Sequence, residues 1–235
     1  GFFKTPTPGF SNDTNPYDGI IFYRPKFSVR GGFYDNDIEV ELSAIDGTIR
    51  YTLDGSFPSL TSPIYTSPIS INSTTIMRAA VFFPNYIQGK TATQSYFINE
   101  DLEARKLPIV SIATNPEYFW DADIGLYVQD FKPNWKYPIN IELFENDGSD
   151  RAAFNELAGV KVNGLNSWVL PQKMLGIYFD NEYDQNNLEY PLFFDRERNR
   201  YDNFTLRASG SDWSQTMIRD GLSQSLTIGV TDLGQ

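Results

Sequence analysis

The chain contains no cysteine and no histidine. Without cysteine there is no disulfide framework, no thiolate nucleophile and no Cys-based zinc site, and the sequence carries no record of redox compartment. Without histidine a Ser-His-Asp triad, a Cys-His dyad and any imidazole general base are excluded. Long apolar runs are scarce as well. Stretches such as Leu107–Ala113 are strand-sized, well short of the roughly 20 residues of a membrane span, and nothing resembles a signal peptide. Positive charge is in deficit: 19 Lys and Arg against 30 Asp and Glu give a net charge of −11. That balance repels phosphate backbones and anionic membrane surfaces, and no basic stripe with interleaved aromatics offsets it. The reading is no nucleic-acid partner and no membrane insertion.

What is present is β-patterned. With 235 residues, 15% of them aromatic, the chain can hold one large or two small domains. In Ile49–Pro58, Ile49, Tyr51 and Leu53 alternate with Arg50, Thr52 and Asp54, the two-residue period of a half-buried strand; Tyr51 and Leu53 are expected to face inward. Asp54-Gly55 supplies a turn and Pro58 stops the strand. Ile38, Val40 and Leu42 alternate in the same way, and Asp46-Gly47 turns into the next strand. Thr74–Phe83 reads as a central strand, apolar on both faces, and Thr93–Ile98 as a closing one. About seven short strands are expected over 24–98, with no helix longer than two turns.

The ordered pieces Pro25-Lys26-Phe27-Ser28, Gly32-Phe33-Tyr34, Tyr51-Thr52-Leu53-Asp54-Gly55-Ser56, Ser62-Pro63-Ile64-Tyr65, Pro68-Ile69, Ile76-Met77-Arg78-Ala79-Ala80 and Tyr96-Phe97-Ile98 resemble the chitobiase/β-hexosaminidase C-terminal domain. This resemblance implies an Ig-like β-sandwich over residues 23–99. It is an accessory domain, so no catalytic residue is carried over. Residues 1–22, with Thr5-Pro6-Thr7-Pro8-Gly9, read as a linker, or as the end of a preceding lamin-tail-like domain, which the Pro-Thr-Pro-Gly-Phe-Ser-Asn stretch resembles.

Residues 100–235 read as α+β. Strands are expected at 107–113, Gly125–Val128, Pro138–Phe144, Gly159–Asn163, Lys173–Phe179, Tyr190–Phe194 and Asn203–Arg207, with a helical turn at Asn115–Phe119. A helix is expected over 212–226: Asp212 and Gln215 fit a capping box, Trp213, Met217, Ile218, Leu222 and Leu226 form an apolar stripe, and Gly229 sits at the stop. Leu107–Ile112, Gly125–Val128, Asn140–Glu145, Gly159–Gly164, Pro171–Lys173, Tyr190–Phe193 and Leu206–Trp213 follow one another as in the amino-terminal portion of a CotH (spore coat protein H) kinase-family domain. The resemblance implies a kinase-N-lobe-like second domain. A kinase-like site needs a backbone cradle, a lysine on the next strand and an acidic helix partner; the resemblance points to Gly164, Ser167, Lys173, Arg207 and Asp220 as nucleotide-binding candidates. The family's catalytic and metal-binding aspartates are expected beyond Gln235. No catalytic or metal residue is therefore assigned, and no cofactor is expected for this chain, with Mg-ATP reserved for a full-length kinase.

Two other patterns bear on function. The acidic groups Asp35-Asn36-Asp37, Asp121 with Asp123, Asp147–Asp150 and Asp180–Asp184 could offer oxygen ligands to Ca²⁺, or simply build turns. Tyr118, Phe119, Trp120, Trp135, Tyr137 and Trp168 could stack against a sugar face, or pack between domains. Together these features read as a piece of an extracellular or cell-surface multidomain protein with a structural, adhesive or module-presenting role. Its partners would be other domains of the same polypeptide and a surface protein or glycan. The alternatives are an atypical ATP-dependent kinase at full length and a carbohydrate-binding accessory module of a glycan-degrading enzyme.

Overall fold

The computed structural model describes residues 16–100, 107–128, 134–145, 147–164, 167–193, 197–209, 212, 215–219, 221 and 222. Residues 1–15 of the segment expected over 1–22 as a linker or lamin-tail end, the charge cluster Asp101–Glu103, and Trp213, Asp220, Leu226 and Gly229 lie outside these residues; of the rest of 1–22, Gly19–Ile20 is a strand and Ile21 is buried in the core. The chain is mainly β and divides into two compact units. One comprises Gly1–Asn115 and Asn140–Glu156, the other Pro116–Ile139 and Leu157–Gln235.

The first unit opens with short strands: β1 (Gly19–Ile20), β2 (Lys26–Phe27), β3 (Gly32–Tyr34), β4 (Ile38–Val40), β5 (Leu42–Ser43) and β6 (Thr48–Thr52). β7 (Ile69–Ile71), β8 (Thr75–Phe82), β9 (Tyr86–Ile87), β10 (Ala92–Ile98) and β11 (Ile109–Ala113) follow. A four-stranded sheet of order β3-β10-β8-β6 is accompanied by the pairs β2-β5 and β4-β7, an arrangement consistent with a β-sandwich. Residues 24–98 thus hold nine strands, β2 to β10, and no helix. The side chains alternate as the pleat requires. Met77, Ala79 and Val81 of β8 turn inward with Val40, Leu42, Ile49, Ile71, Tyr96 and Ile98 to form the core.

Both Asp-Gly turns form, with Gly47 at φ +88° and Gly55 at φ +80°, where a residue with Cβ is disfavoured. Asp54 Oδ1 accepts from the Ser56 amide at 3.0 Å and the Ser56 hydroxyl at 2.6 Å. That hydroxyl is the main reason the Asp54 carboxyl is held below its ordinary range. The turn begins one residue earlier than the alternation implies. Thr52 Oγ1 donates to the Ser56 carbonyl at 2.6 Å, β6 ends at Thr52, and Leu53 sits in a bend at 43% exposure instead of facing inward. Tyr51 packs half-buried against the core.

The expected two-sided apolar character of 74–83 is corrected at one position. Arg78, on the face of β8 opposite the core, is fully buried. It lies over the Phe57 ring at 3.8 Å and donates from Nη1 to the Gly55 carbonyl at 3.0 Å. Burial lowers its pKa to about 10. The Asp54–Pro58 loop is therefore folded onto a buried guanidinium.

The same unit contains residues 140–156. Asn140–Phe144, the end of β12 (Tyr137–Phe144), pairs antiparallel with β11 from Ala113↔Asn140 to Ile109↔Phe144. Phe144 meets Phe33 and Phe97 edge-on at 5.6 and 5.2 Å, while those two rings stack at 4.5 Å. The chain returns through Ala153, whose amide donates to the Leu143 carbonyl at 2.7 Å.

In the second unit, α1 (Pro116–Trp120) precedes a turn. Gly125–Val128, expected as a strand, instead donates its amides back to Asp121, Tyr118, Phe119 and Gly125 carbonyls. Gly159–Asn163 of β13 (Phe154–Asn163) pairs antiparallel with β14 (Met174–Tyr178), which pairs with β17 (Asn203–Leu206). β15 (Leu188–Glu189) and β16 (Arg200–Tyr201) form a short ladder, while residues 190–193 of the strand expected at 190–194 are in bend and irregular backbone. The helix expected from 212 is also corrected. Gln215–Ile218 are in turn, bend and irregular backbone, Met217 has φ +59°, and helical backbone is described only at Arg219, Gly221 and Leu222. Asp212 is the cause: its carboxylate accepts from the Thr216 hydroxyl and the Thr216 and Arg219 amides, gathering the segment into a loop. Met217, Ile218 and Leu222 are exposed. Among the described residues, no helix is long and apolar enough to cross a membrane.

Replacing Ile49 by Ala is expected to cost about 2–5 kcal/mol of unfolding free energy, and replacing Leu53 by Ala less than about 0.5 kcal/mol. Urea midpoints of the two variants check the register directly; equal losses would contradict it.

Candidate functional site

The nucleotide-binding candidates fall in different settings. Gly164 is exposed at φ +97°, and Ser167 opens a 3-10 turn, Ser167–Val169. Lys173 is buried, and its ammonium donates to the Trp168 and Leu170 carbonyls and lies 5.5 Å from the Tyr127 ring centroid. Desolvation lowers its pKa. Arg207 is exposed just past β17, and Asp220 lies outside the described residues. The lysine is thus held by its own hairpin loop.

The acidic groups are turn-builders where their contacts are described. Asp121 Oδ1 accepts from the amides of Asp123 and Ile124, Asp147 Oδ1 from Ser149, and Asp180 Oδ1 from Glu182. Among the described residues no three such side chains converge as a metal site. Tyr118, Phe119, Trp120, Tyr127, Trp135 and Tyr137 make ring contacts with one another in the second unit. Tyr118 and Tyr137 stack at 4.4 Å and Tyr127 lies against Trp120 at 4.8 Å, leaving Trp120 65% exposed.

The site with the most polar chemistry is in the first unit and was not legible in the sequence. β12 presents Asn140, Glu142 and Phe144 on one face. Glu142 is 1% exposed. Its Oε2 accepts from Ser95 Oγ at 2.5 Å, and its Oε1 accepts from Asn155 Nδ2 at 2.9 Å and the Ser95 amide at 3.4 Å. Ser95 Oγ also lies 2.8 Å from Ser111 Oγ. Asn155 Nδ2 donates in addition to the Thr93 carbonyl at 2.9 Å, and its Oδ1 accepts from Asn140 Nδ2 at 3.0 Å. Despite these donors burial dominates, and the Glu142 carboxyl is pushed up to about 7.

Gly31 closes the approach. A Cβ there would meet the Ser95 carbonyl at 2.8 Å and Glu142 Oε1 at 3.1 Å, so only glycine lets the chain pass. Beside this network a cavity of about 330 Å³ is lined by Arg24, Arg30, Arg151, Thr93, Asn140 and Asn155, among others. Arg151 Nη1 donates to the Tyr34 hydroxyl at 3.2 Å. Desolvation lowers the Arg24 pKa, with Glu156 opposing. Thr93 is 3% exposed, and its Oγ1 is buried without a hydrogen-bond partner among the described residues. The one local sign in the sequence was the placement of Asn140 and Glu142 at alternate positions inside an apolar strand.

Residues 29–93 match the family model of the chitobiase/beta-hexosaminidase C-terminal domain. No curated protein matches the chain.

The raised Glu142 carboxyl makes stability pH-dependent. The folded state takes up a proton between about pH 4.5 and 7, which the unfolded chain does only below that window. Glu142's contribution is therefore greatest below pH 4.5 and falls as pH rises to 7, by roughly 3 kcal/mol in all. Glu142→Gln keeps an acceptor for Asn155 and removes the titration. Urea midpoints at pH 5 and pH 8 are expected to differ less in this variant than in the parent chain.

Proposed function

We propose that this chain is a non-catalytic, glycan-associated module of a multidomain protein acting outside the cell, where it spaces or presents neighbouring domains to carbohydrate. The observation that carries this reading is the match of residues 29–93 to a domain type named for chitobiase and β-hexosaminidase, on a segment built as paired β-sheets. The motif order of 107–235 supports a CotH-like continuation, which makes other domains of the same polypeptide the first partners and a surface protein or glycan the external one. A scaffold is favoured over nucleotide chemistry because the Lys173 ammonium is engaged by backbone carbonyls, whereas a phosphate-binding lysine needs its charge turned to the ligand.

The 235-residue chain is expected to release no reducing ends from chitin, chito-oligosaccharides or a panel of neutral and acidic polysaccharides. In native gels it is expected to be retarded by at least one polysaccharide of that panel. Hydrolysis above the buffer blank, or unretarded migration throughout, overturns the reading.

A further inference from the structure

We propose that the cavity beside the Glu142 network binds an oxyanion, a carboxylate or sulfate group, carried on a sugar residue. This deepens the glycan-module reading and rests on it for the sugar; the anion follows from the cavity itself.

Three guanidinium groups, Arg24, Arg30 and Arg151, line one space of about 330 Å³ in a chain of net charge −11. They come from segments more than a hundred residues apart, and like charges gathered at one mouth repel unless an anion sits among them. Glu156 already offsets Arg24, which leaves Arg30 and Arg151 to an anion, and Glu142 accepts from Ser95 and Asn155. Among the described residues Arg151 is held by the neutral Tyr34 hydroxyl, and no side-chain partner of Arg30 is described. Guanidinium forks match the planar two-oxygen geometry of a carboxylate, and sulfate presents the same paired oxygens.

The second observation is Thr93. Thr93 is 3% exposed, and its hydroxyl, buried without a partner among the described residues, leaves a donor and an acceptor unmet, at a cost that a ligand would relieve. Around it the floor is preset, since Asn155 spends its amide donors on Glu142 and the Thr93 carbonyl and so cannot swing to satisfy the hydroxyl itself. A charged mouth over a neutral hydroxyl and amide floor suits a ligand that is an anion at one end and hydroxylated at the other. The volume is at the lower end of the roughly 300–1,000 Å³ of small-ligand sites, the size for a single sugar residue. The chain's acidity does not forbid this, because its distant charges are screened beyond about 8 Å at physiological salt.

Calorimetry on the 235-residue chain with a galacturonic acid trisaccharide tests it, with chitotriose, free glucuronate and inorganic sulfate as comparison ligands. The acidic trisaccharide is expected to bind at least tenfold more tightly than chitotriose and more tightly than either bare anion. Arg30→Gln with Arg151→Gln is expected to weaken it at least tenfold with an unchanged circular dichroism spectrum. Thr93→Val, which removes the unmet hydroxyl, is expected to weaken binding several-fold while the thermal midpoint holds or rises, a pairing that a purely structural threonine would not give. Equal binding by the parent and these variants overturns the site. Equal affinity for sulfate and the trisaccharide overturns the sugar and leaves the anion. Binding of chitotriose alone overturns the inference while the glycan-module reading stands.

Discussion

A carboxylate withdrawn from water costs several kcal/mol unless hydrogen bonds or a proton compensate, and much of the first unit is arranged around meeting that cost at Glu142. Ser95 contributes its amide and hydroxyl, Asn155 its side-chain amide. These contacts tie β10 to residues 140–156, which are distant in sequence. Because Asn155 also bridges to the Thr93 carbonyl and to Asn140, satisfying one buried acid fixes the floor of the adjacent cavity. The Phe33, Phe97 and Phe144 rings seal the same interface with apolar area.

A second buried ion, Arg78, sits on the face of the four-stranded sheet that carries Ser95. Thr93 and Arg78 are cross-strand partners on β10 and β8, and Thr52 on β6 completes the row. Arg78 finds a ring and one carbonyl, while its Nε and Nη2 join Thr93 Oγ1 among the buried atoms without a partner among the described residues. Met77, Ala79 and Val81 fill the inner face of the sheet, while its outer face sets Arg78, Thr93 and Ser95 among apolar neighbours such as Ala80, Phe82 and Phe97. That division explains why the Asp54–Pro58 loop matters: it carries the Gly55 carbonyl and the Phe57 ring to the guanidinium, and its Asp-Gly turn is what aims them there.

Local periodicity and turn chemistry made the first unit's strands legible, because alternation and Asp-Gly turns act over two to four residues. Leu53 was misplaced because a single side-chain bond, Thr52 to the Ser56 carbonyl, ends the strand before the pattern does. The segment after Asp212 misled for a similar reason: an acid that can cap a helix can also gather amides of a loop, and here it reaches both Thr216 and Arg219. The cavity had no comparable signature. Arg24, Arg30, Thr93, Asn155 and Arg151 are ordinary residues until topology brings them together, and no spacing rule spans such separations.

The same topology sets what this cavity can discriminate. Arg24 and Arg30 belong to the segment entering β3, Thr93 to β10, and Arg151 and Asn155 to the return of the 140–156 segment, so the guanidinium mouth and the amide floor rest on separate supports. Gly31 joins them, since its bare backbone lies against both Ser95 and Glu142. A ligand touching only the mouth would meet exposed side chains, where ion pairs contribute little against water and salt. One that also reaches Thr93 meets a floor already ordered by the Glu142 network, and so loses less entropy on binding. Selectivity in such a site comes from the buried hydroxyl and its fixed surroundings, and the arginines supply the attraction that brings an anion to them.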